Sequence, residues 1–282
     1  MSNLLELDHV TKVYPVGGLF SRQTIKAVND VSFSLNNDKP EIFAIVGESG
    51  SGKSTMAKMM LGNEVPDQGR LVFDGIDIVT IRSRRQREEF MAKVQPVFQN
   101  PFEAFNPLTR VDAYLFATAH RFAKADTQEQ KERVTDEALQ RVGLSMAEIK
   151  GRFSHELSGG QLQRVAVARA LIPSPKLIVA DEPVSMVDAS LRMSIVNLFR
   201  SLRDELKVSI IYITHDLATA YYISDRVIIM QKGVIIESGD ARTVLDNPQH
   251  PYSIALKNAV LPPDPRAASA AIRQRNLGVP VA

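Results

Sequence analysis

The sequence contains no cysteine, and this absence excludes several kinds of chemistry. Without thiols the chain can form no disulfide, no cysteine nucleophile and no cysteine-held zinc or iron–sulfur site. Long apolar runs are also missing: the apolar stretches, such as residues 177–180 and 227–230, have the length of β-strands, far below the roughly 18 residues that span a bilayer. If a protein with this sequence works at a membrane, we expect something else to anchor it.

Strong net charge is absent too. The chain carries 34 Lys and Arg residues against 32 Asp and Glu residues, a formal net charge of +2, which argues against a protein whose main task is to coat nucleic acid. Its basic cluster comprises Arg82, Arg84, Arg85 and Arg87. Because Glu88 and Glu89 follow directly, the pattern favours the start of a solvated surface helix over a site for nucleic acid or anionic lipid.

The apolar pattern predicts an α/β fold. A chain of 282 residues has room for roughly two domains, or for one large domain with an insertion. Continuous apolar runs predict buried strands, and a helical pattern follows each of them: strands over residues 42–46, 177–180 and 209–214, and helices over 53–61, 191–202 and 216–224. Strands that alternate with helices in this way predict a parallel sheet with helices on both sides.

Other parts of the chain depart from this alternation. Short strands are predicted over residues 4–10 and 27–35 and in hairpins over 71–78 and 227–237. The pattern over residues 99–161 instead predicts a helical insertion. Within it, a helix over residues 127–142 is expected to begin with a capping box between Thr127 and Gln130.

The strongest chemical signal is a glycine-rich loop. The stretch Gly47-Glu-Ser-Gly-Ser-Gly-Lys-Ser-Thr55 fits the pattern G-x-x-x-x-G-K-[ST] and lies between a predicted buried strand and a predicted helix. Glycines let such a loop curl so that backbone N–H groups and the helix N-terminus form an anion cradle. Lys53 is expected to reach the β- and γ-phosphates of a nucleotide, and Ser54 to coordinate Mg²⁺. The predicted phosphate-binding residues are Gly47, Ser49, Gly50, Ser51, Gly52, Lys53, Ser54 and Thr55.

A pair of acids follows the predicted strand over residues 177–180. Asp181 and Glu182 would lie at the carboxyl edge of the sheet, beside the glycine-rich loop. Asp181 is expected to hold Mg²⁺, mostly through water. Glu182 can face the γ-phosphate and polarise the attacking water as a general base. The alternative is that one of the two acids only caps the next segment.

A second helix start has the features of a phosphate site. The stretch Leu157-Ser-Gly-Gly-Gln161 opens a predicted helix over residues 158–171, and Ser158 with Gln161 would also satisfy a capping box. Glycines in the first turn of a helix cost about 1 kcal/mol each relative to alanine. They make sense if the backbone must approach a ligand closely. Bare N–H groups and a serine hydroxyl at this N-terminus therefore predict a second phosphate site.

These motifs together resemble the ATP-binding subunit of an ABC transporter, and the resemblance covers residues 4–265. Residues 47–55 resemble the Walker A loop, and residues 177–182 resemble the Walker B strand with the catalytic glutamate. Residues 157–161 match the ABC signature, the most specific motif of the set.

The resemblance implies a domain organisation. A P-loop NTPase (RecA-like) core with an antiparallel β subdomain is expected over residues 1–98 and 162–238, with an inserted helical subdomain over 99–161. Residues 239–282 would form a C-terminal extension. Within it, residues 266–282 are rich in alanine without a clear apolar period, and we expect a loose tail there.

The resemblance also assigns roles to single residues. Tyr14 is expected to stack on adenine, and Gln99 to sense Mg²⁺ and the γ-phosphate. His215 would contact the γ-phosphate, and Asp188 resembles the aspartate of the D-loop. Residues 185–188 read Ser-Met-Val-Asp, where the family usually has Ser-Ala-Leu-Asp, and this difference affects packing at the dimer seam.

In proteins that this chain resembles, two ATPase subunits face each other head to tail. Ser158, Gly160 and Gln161 of one copy would complete the Walker A site of the other, so that ATP holds the dimer closed. The resemblance implies two membrane permease subunits as further partners, and a peripheral location on the cytoplasmic face of the inner membrane. The loop over residues 99–111 would contact the permeases, with Phe102 and Phe105 suited to a docking groove if exposed.

The C-terminal motifs favour one branch of this family. Residues 247–252 and 259–265 resemble the tail of oligopeptide and dipeptide importers, a branch that also includes nickel, opine, glutathione and oligosaccharide systems. An extracytoplasmic solute-binding protein would then be an indirect partner. Systems of this branch often pair two different ATPases, which favours a heterodimer over a homodimer.

Two other functions remain open at this stage. One is a soluble ABC ATPase that acts on nucleic acid or the ribosome; a single Walker A loop and the lack of sustained heptads argue against it. The other is a nucleotide-gated module that does not hydrolyse ATP, against which Glu182 and His215 argue.

Overall fold

A computed structural model describes residues 2–16, 23–102 and 104–259. Within them the strands β1 to β10 are Asn3–Val16, Gln23–Asn36, Ile42–Val46, Gln68–Phe73, Ile76–Asp77, Val94–Val97, Leu177–Asp181, Ser209–Thr214, Arg226–Gln231 and Val234–Asp240. The helices α1 to α10 are Lys53–Met60, Arg84–Lys93, Val111–Ala123, Gln128–Arg141, Met146–Ile149, Gly159–Leu171, Ala189–Leu206, Leu217–Ile223, Ala241–Asp246 and Pro251–Ala259. The mixed α/β architecture predicted from the sequence is confirmed.

The larger sheet carries the order β10-β9-β3-β8-β7-β6. Its strands from β9 to β6 are parallel, and only β10 runs antiparallel, as the second strand of the closing hairpin. Because the parallel strands point the same way, the segments that follow β3, β6, β7 and β8 meet at one edge of the sheet. These segments contain the glycine-rich loop, Gln99, Glu182 and His215.

The smaller sheet is antiparallel, with the order β2-β1-β4-β5. Strand β3 shows why the two sheets pack together, since it is buried on both faces as its unbroken apolar sequence predicts. Phe43 and Ile45 pack in a core shared with β1, β2, β4 and α1, whereas Ala44 and Val46 pack against α8 and α9. The antiparallel sheet therefore covers one face of the parallel sheet.

The helical insertion packs around α6. Helices α3, α4 and α6 share a core that continues into β6 and β7. The expected Thr127–Gln130 capping box of α4 is confirmed, with hydrogen bonds of 3.1 and 3.2 Å. Helix α6 runs without a break across residue 161, where the domain boundary was placed, so the insertion and the core share one continuous helix.

One expectation for the insertion is wrong. Phe105 is 1% exposed and cannot line a docking groove. Its ring packs edge-on against Tyr114 at 5.3 Å between centroids, and the Arg169 guanidinium lies over it at 5.3 Å. The chain folds back at this point, so the Phe105 ring packs against α3 and α6 instead of facing solvent. Phe102, by contrast, is 43% exposed.

The basic cluster begins a surface helix, as expected. Ser83 caps α2 in a capping box with Gln86. Arg84 pairs with Glu88 at 3.2 Å and Arg85 with Glu89 at 2.9 Å, one helical turn apart. Such exposed pairs along a helix are typical of a solvated face.

The C-terminal extension contains two helices within the described residues, α9 and α10. Helices α9 and α10 pack beside β9 and α8 through Val244, Leu245, Tyr252 and Leu256. The tail predicted over residues 266–282 lies outside the described residues.

Candidate functional site

A cleft of about 730 Å³ lies at the carboxyl edge of the parallel sheet. It brings together residues that are far apart in the chain and that the sequence predicted as one site: Tyr14, Gly47, Ser49, Gly50, Gly52, Lys53, Ser54, Thr55, Gln99, Glu182 and His215. Ser51 is buried beneath the loop and donates its backbone N–H to the Glu48 carbonyl. Tyr14 and the glycine-rich loop both line the cleft. A ligand bound there can therefore stack an aromatic ring on Tyr14 and place phosphate groups on the loop.

The last position of the glycine-rich loop has space and backbone geometry for glycine only. Gly52 has φ = 105°, and a β-carbon there would lie 2.1 Å from the backbone oxygen of Ala27. Gly47 is equally close-packed, since a β-carbon would lie 2.3 Å from the backbone oxygen of Met230. The loop therefore lies directly on β2 and β9, and α1 starts from it with no side chain capping its first N–H groups. Uncapped N–H groups at a helix start favour an anion.

Lys53 is folded back into the loop that precedes it. Its Nζ donates to the carbonyl oxygens of Gly47 and Glu48, both at 2.7 Å, and to Ser51 Oγ at 3.4 Å. Burial lowers the pKa of Lys53, and the nearby acids Glu182 and Asp181 act in the opposite direction. The ammonium is thus held over the loop, where phosphate oxygens could replace the carbonyls as acceptors.

Glu182 is the centre of a hydrogen-bond network. Its Oε1 accepts from His215 Nδ1 at 2.9 Å, and its Oε2 accepts from Gln99 Nε2 at 3.0 Å. Because an ionised carboxylate can only accept, this contact gives the donor role to Nδ1 of His215. The backbone of Glu182 is left-handed, with φ = 46°, and its N–H donates to the Ile213 carbonyl at 2.9 Å. Strain of this kind at a non-glycine residue costs about 1–3 kcal/mol and clusters at functional sites.

Asp181 and Ser54 meet beside this network. The Ser54 hydroxyl donates to the Asp181 carboxylate, which lowers the pKa of that acid, but burial dominates and raises it. The adjacent Glu182 charge also raises the pKa of Asp181. Two neighbouring carboxylates, a hydroxyl and the Gln99 amide supply the oxygen ligands that Mg²⁺ prefers, and a divalent cation would offset the charge that burial disfavours. The donor set therefore fits the metal.

The signature residues lie outside this cleft. Ser158, Gly160 and Gln161 open α6, with the capping box formed by hydrogen bonds of 3.0 and 3.2 Å between Ser158 and Gln161. Ser158 is exposed. Asp188 precedes α7 and does not line the cleft either. One copy of the chain therefore holds the two predicted phosphate sites in separate places.

The sequence did not predict the contribution of α10. Leu256 lines the cleft, and the Tyr252 hydroxyl accepts a hydrogen bond of 2.9 Å from the backbone N–H of Glu48 in the glycine-rich loop. In the sequence, residues 247–252 indicate only a resemblance to one family branch. The contact joins residues 204 positions apart, so no local pattern could have revealed it.

Comparison with protein families gives two matches. Residues 28–185 match the ABC transporter family. This range includes the glycine-rich loop, the signature and the acid pair. Residues 236–279 match the C-terminal region of oligopeptide/dipeptide transporters.

Characterised relatives cover nearly the whole chain. The oligopeptide transport ATP-binding protein AppF of Bacillus subtilis is 40% identical over 260 residues, which are 91% of this chain and 78% of that protein. The dipeptide transport ATP-binding protein DppF of Haemophilus influenzae is 40% identical over 258 residues, 91% of this chain and 77% of that protein.

Solved structures support the same assignment. The dimeric ATP-binding cassette MJ0796, in a post-hydrolysis state with ADP and Pi, superposes with a TM-score of 0.74 at 28% identity, over 84% of this chain and 99% of that one. CbiO1 of Clostridium perfringens, part of an ABC transporter complex, has a TM-score of 0.73 at 26% identity, over 96% of this chain and 99% of that one. The chain therefore belongs to the ATP-binding subunits of ABC transporters, in the branch that carries the oligopeptide/dipeptide C-terminal region.

Proposed function

We propose that this chain hydrolyses ATP in the cleft and thereby drives the uptake of a peptide-like solute through a membrane ABC importer. The observation that carries the proposal is the network in which Glu182 joins Gln99 and His215 beside the glycine-rich loop. A loop that binds phosphate, with a carboxylate held in place by two side chains, is suited to hydrolysis of a terminal phosphate. The names of its relatives supply the solute class.

Each side chain of the network has a role in this proposal. Glu182 orients the attacking water and accepts its proton, while Gln99 and His215 hold the carboxylate and reach the γ-phosphate. Lys53 and the loop amides bind the β- and γ-phosphates, and Tyr14 stacks on adenine. When bound by Ser54, Asp181 and Gln99, Mg²⁺ neutralises charge on the phosphate oxygens.

The separation of the two phosphate sites supports a dimer as the active form. Ser158, Gly160 and Gln161 do not line the cleft of their own copy, but they can face the cleft of a second ATPase subunit in a head-to-tail pair. Exposed apolar side chains beside the signature, Met186 at 58% and Leu191 at 36%, favour a surface that is covered on assembly. Asp188 would lie at this seam. The partner is a second ABC ATPase, either identical or different.

The loop after β6 is the proposed contact for two permease subunits. Phe98 and Phe102 are each 43% exposed and Leu108 is 87% exposed, so the loop presents apolar surface next to Gln99. Among the described residues no helix is long and apolar enough to cross a bilayer. Attachment through permeases would place the chain peripherally on the cytoplasmic face of the inner membrane.

Co-purification tests the proposed assembly. We expect that a tagged chain, isolated from membranes in mild detergent, brings two permease subunits, an ATPase partner or second copy, and an extracytoplasmic peptide-binding protein. Its ATPase activity should rise when those partners are present. Recovery of ribosomes or salt-sensitive DNA binding instead of membrane subunits would contradict the proposal.

A substitution in the loop tests the permease contact. Phe102→Ala removes an exposed ring, so we expect weaker docking, with stimulation of ATP hydrolysis by the permeases reduced about tenfold. Hydrolysis by the free chain should stay unchanged, because Phe102 does not line the cleft. Ile76→Ala, which removes a 51% exposed side chain on the antiparallel sheet, is the matched control and should leave stimulation intact. Equal effects of both substitutions would remove Phe102 from the contact.

A further inference from the structure

We propose that Tyr252 of α10 is a positioning residue for the glycine-rich loop, and that its hydroxyl tunes the affinity of the cleft for ATP. The inference deepens the proposed function and rests on it, because it assumes that the cleft binds a nucleotide. It assigns a task at the site to the C-terminal extension of the chain.

The contact acts on a single peptide group. The Glu48 N–H donates to the Tyr252 hydroxyl at 2.9 Å. The same peptide unit carries the Gly47 carbonyl, which accepts from Lys53 Nζ at 2.7 Å. Tyr252 and Lys53 therefore hold the two ends of one amide plane, and fixing its N–H side fixes the direction of the carbonyl that positions the ammonium.

The hydroxyl itself is held firmly. The Gln249 and His250 backbone N–H groups both donate to the Glu237 carboxylate, which ties the start of α10 to strand β10. The Tyr252 N–H donates to His250 Nδ1 at 3.1 Å. Burial raises the pKa of the Tyr252 phenol, so the group that accepts from Glu48 at neutral pH is the neutral hydroxyl.

The loop contacts other segments of the chain on more than one side. Gly47 and Gly52 press directly on backbone atoms of β9 and β2, which fixes the inner face of the loop. Tyr252 reaches it from the opposite end of the chain, and Leu256, one turn further along α10, lines the same cleft. The helix thus forms part of the wall and also holds the loop.

Tyr252→Phe removes the hydroxyl and keeps the ring. Because loss of one hydrogen bond weakens binding about three- to tenfold, we expect the Kd of a fluorescent ATP analogue and the KM for ATP to rise by that factor. The kcat should change less than about twofold, since a loop that reorders on binding affects ground state and transition state alike.

A matched control separates positioning from stability. Tyr221 lies against the same apolar cluster, its hydroxyl bonds Asp246 at 3.2 Å, and it does not line the cleft. Tyr221→Phe should lower the melting temperature without changing the Kd. The proposal is wrong if both variants change the Kd equally. It is also wrong if Tyr252→Phe lowers the melting temperature and leaves the Kd unchanged.

Two further variants make the test specific. Glu48→Pro deletes the donor, and Tyr252→Phe should then have no additional effect on the Kd; an undiminished effect would overturn the proposal. Lys53→Ala tests the site itself in the same assay. If Lys53→Ala binds the analogue normally, the proposed nucleotide site fails; if it loses binding while Tyr252→Phe binds normally, only the inference about Tyr252 fails.

Discussion

Glu182→Gln is expected to lower the rate of ATP hydrolysis by about 10²–10⁴-fold. An amide cannot accept the proton of the attacking water, so hydrolysis slows by this factor while nucleotide binding continues. The substitution also changes the network, because the glutamine NH₂ group meets donors at His215 Nδ1 or Gln99 Nε2, where the carboxylate accepted. The chain should therefore collect in an ATP-bound dimer. Phosphate release and light scattering with ATP measure the two effects.

Glu205→Gln is the control for this change. It makes the same chemical replacement at an exposed position near the end of α7, and phosphate release should match the unmodified chain. Unchanged phosphate release in Glu182→Gln would remove Glu182 from its role. A variant that hydrolyses slowly and also fails to dimerise with ATP would contradict the second half of the prediction.

Gly52→Ala is expected to have the largest effect on stability. The added β-carbon would lie 2.1 Å from the Ala27 backbone oxygen, at a position where φ is 105°. Because the atom in the way belongs to the backbone, β2 or the loop must shift to make room. The free energy of this clash adds to the cost of placing alanine in the left-handed conformation. We expect the free energy of unfolding to fall by about 3–5 kcal/mol. Denaturant unfolding measures this, and nucleotide binding should be lost with it.

Gly75→Ala separates the two contributions. Gly75 has φ = 79° in the β4–β5 hairpin, and no atom of the described residues lies within 4 Å of an added β-carbon. In this variant the free energy of unfolding should fall only by the cost of placing alanine in the left-handed conformation, about 1–2 kcal/mol. If Gly52→Ala costs no more than Gly75→Ala, the loop is not packed against β2 as described.

Most of the fold follows from local patterns in the sequence. Strand β3 was predictable because five consecutive apolar residues indicate a strand that is buried on both faces. The start of α4 was predictable because Thr127 and Gln130 have the spacing of a capping box. Helix α3, Val111–Ala123, was not predicted, since its start has no side-chain cap and its N-cap is Arg110. Where capping residues and regular spacing are missing, the tertiary contacts decide.

In the candidate site, too, the features set by local motifs were predictable, and those set by distant contacts were not. The glycine-rich loop, Glu182 and Ser158 lie in contiguous motifs, and topology brings the first two together at one sheet edge. The burial of Phe105 and the contact of Tyr252 with the loop depend on how distant segments pack. A sequence pattern shows which side chains are present, but not which backbone N–H group a remote hydroxyl meets.

The most direct measurement is a structure of the membrane-purified assembly with the Glu182→Gln variant, ATP and Mg²⁺. We expect ATP to be enclosed between two ATPase subunits, with the glycine-rich loop of this chain on the β- and γ-phosphates of one nucleotide. Ser158 and Gly160 of this chain should contact the γ-phosphate of the nucleotide in the facing subunit. A nucleotide bound to one subunit alone, with Ser158 facing solvent in a closed assembly, would contradict it.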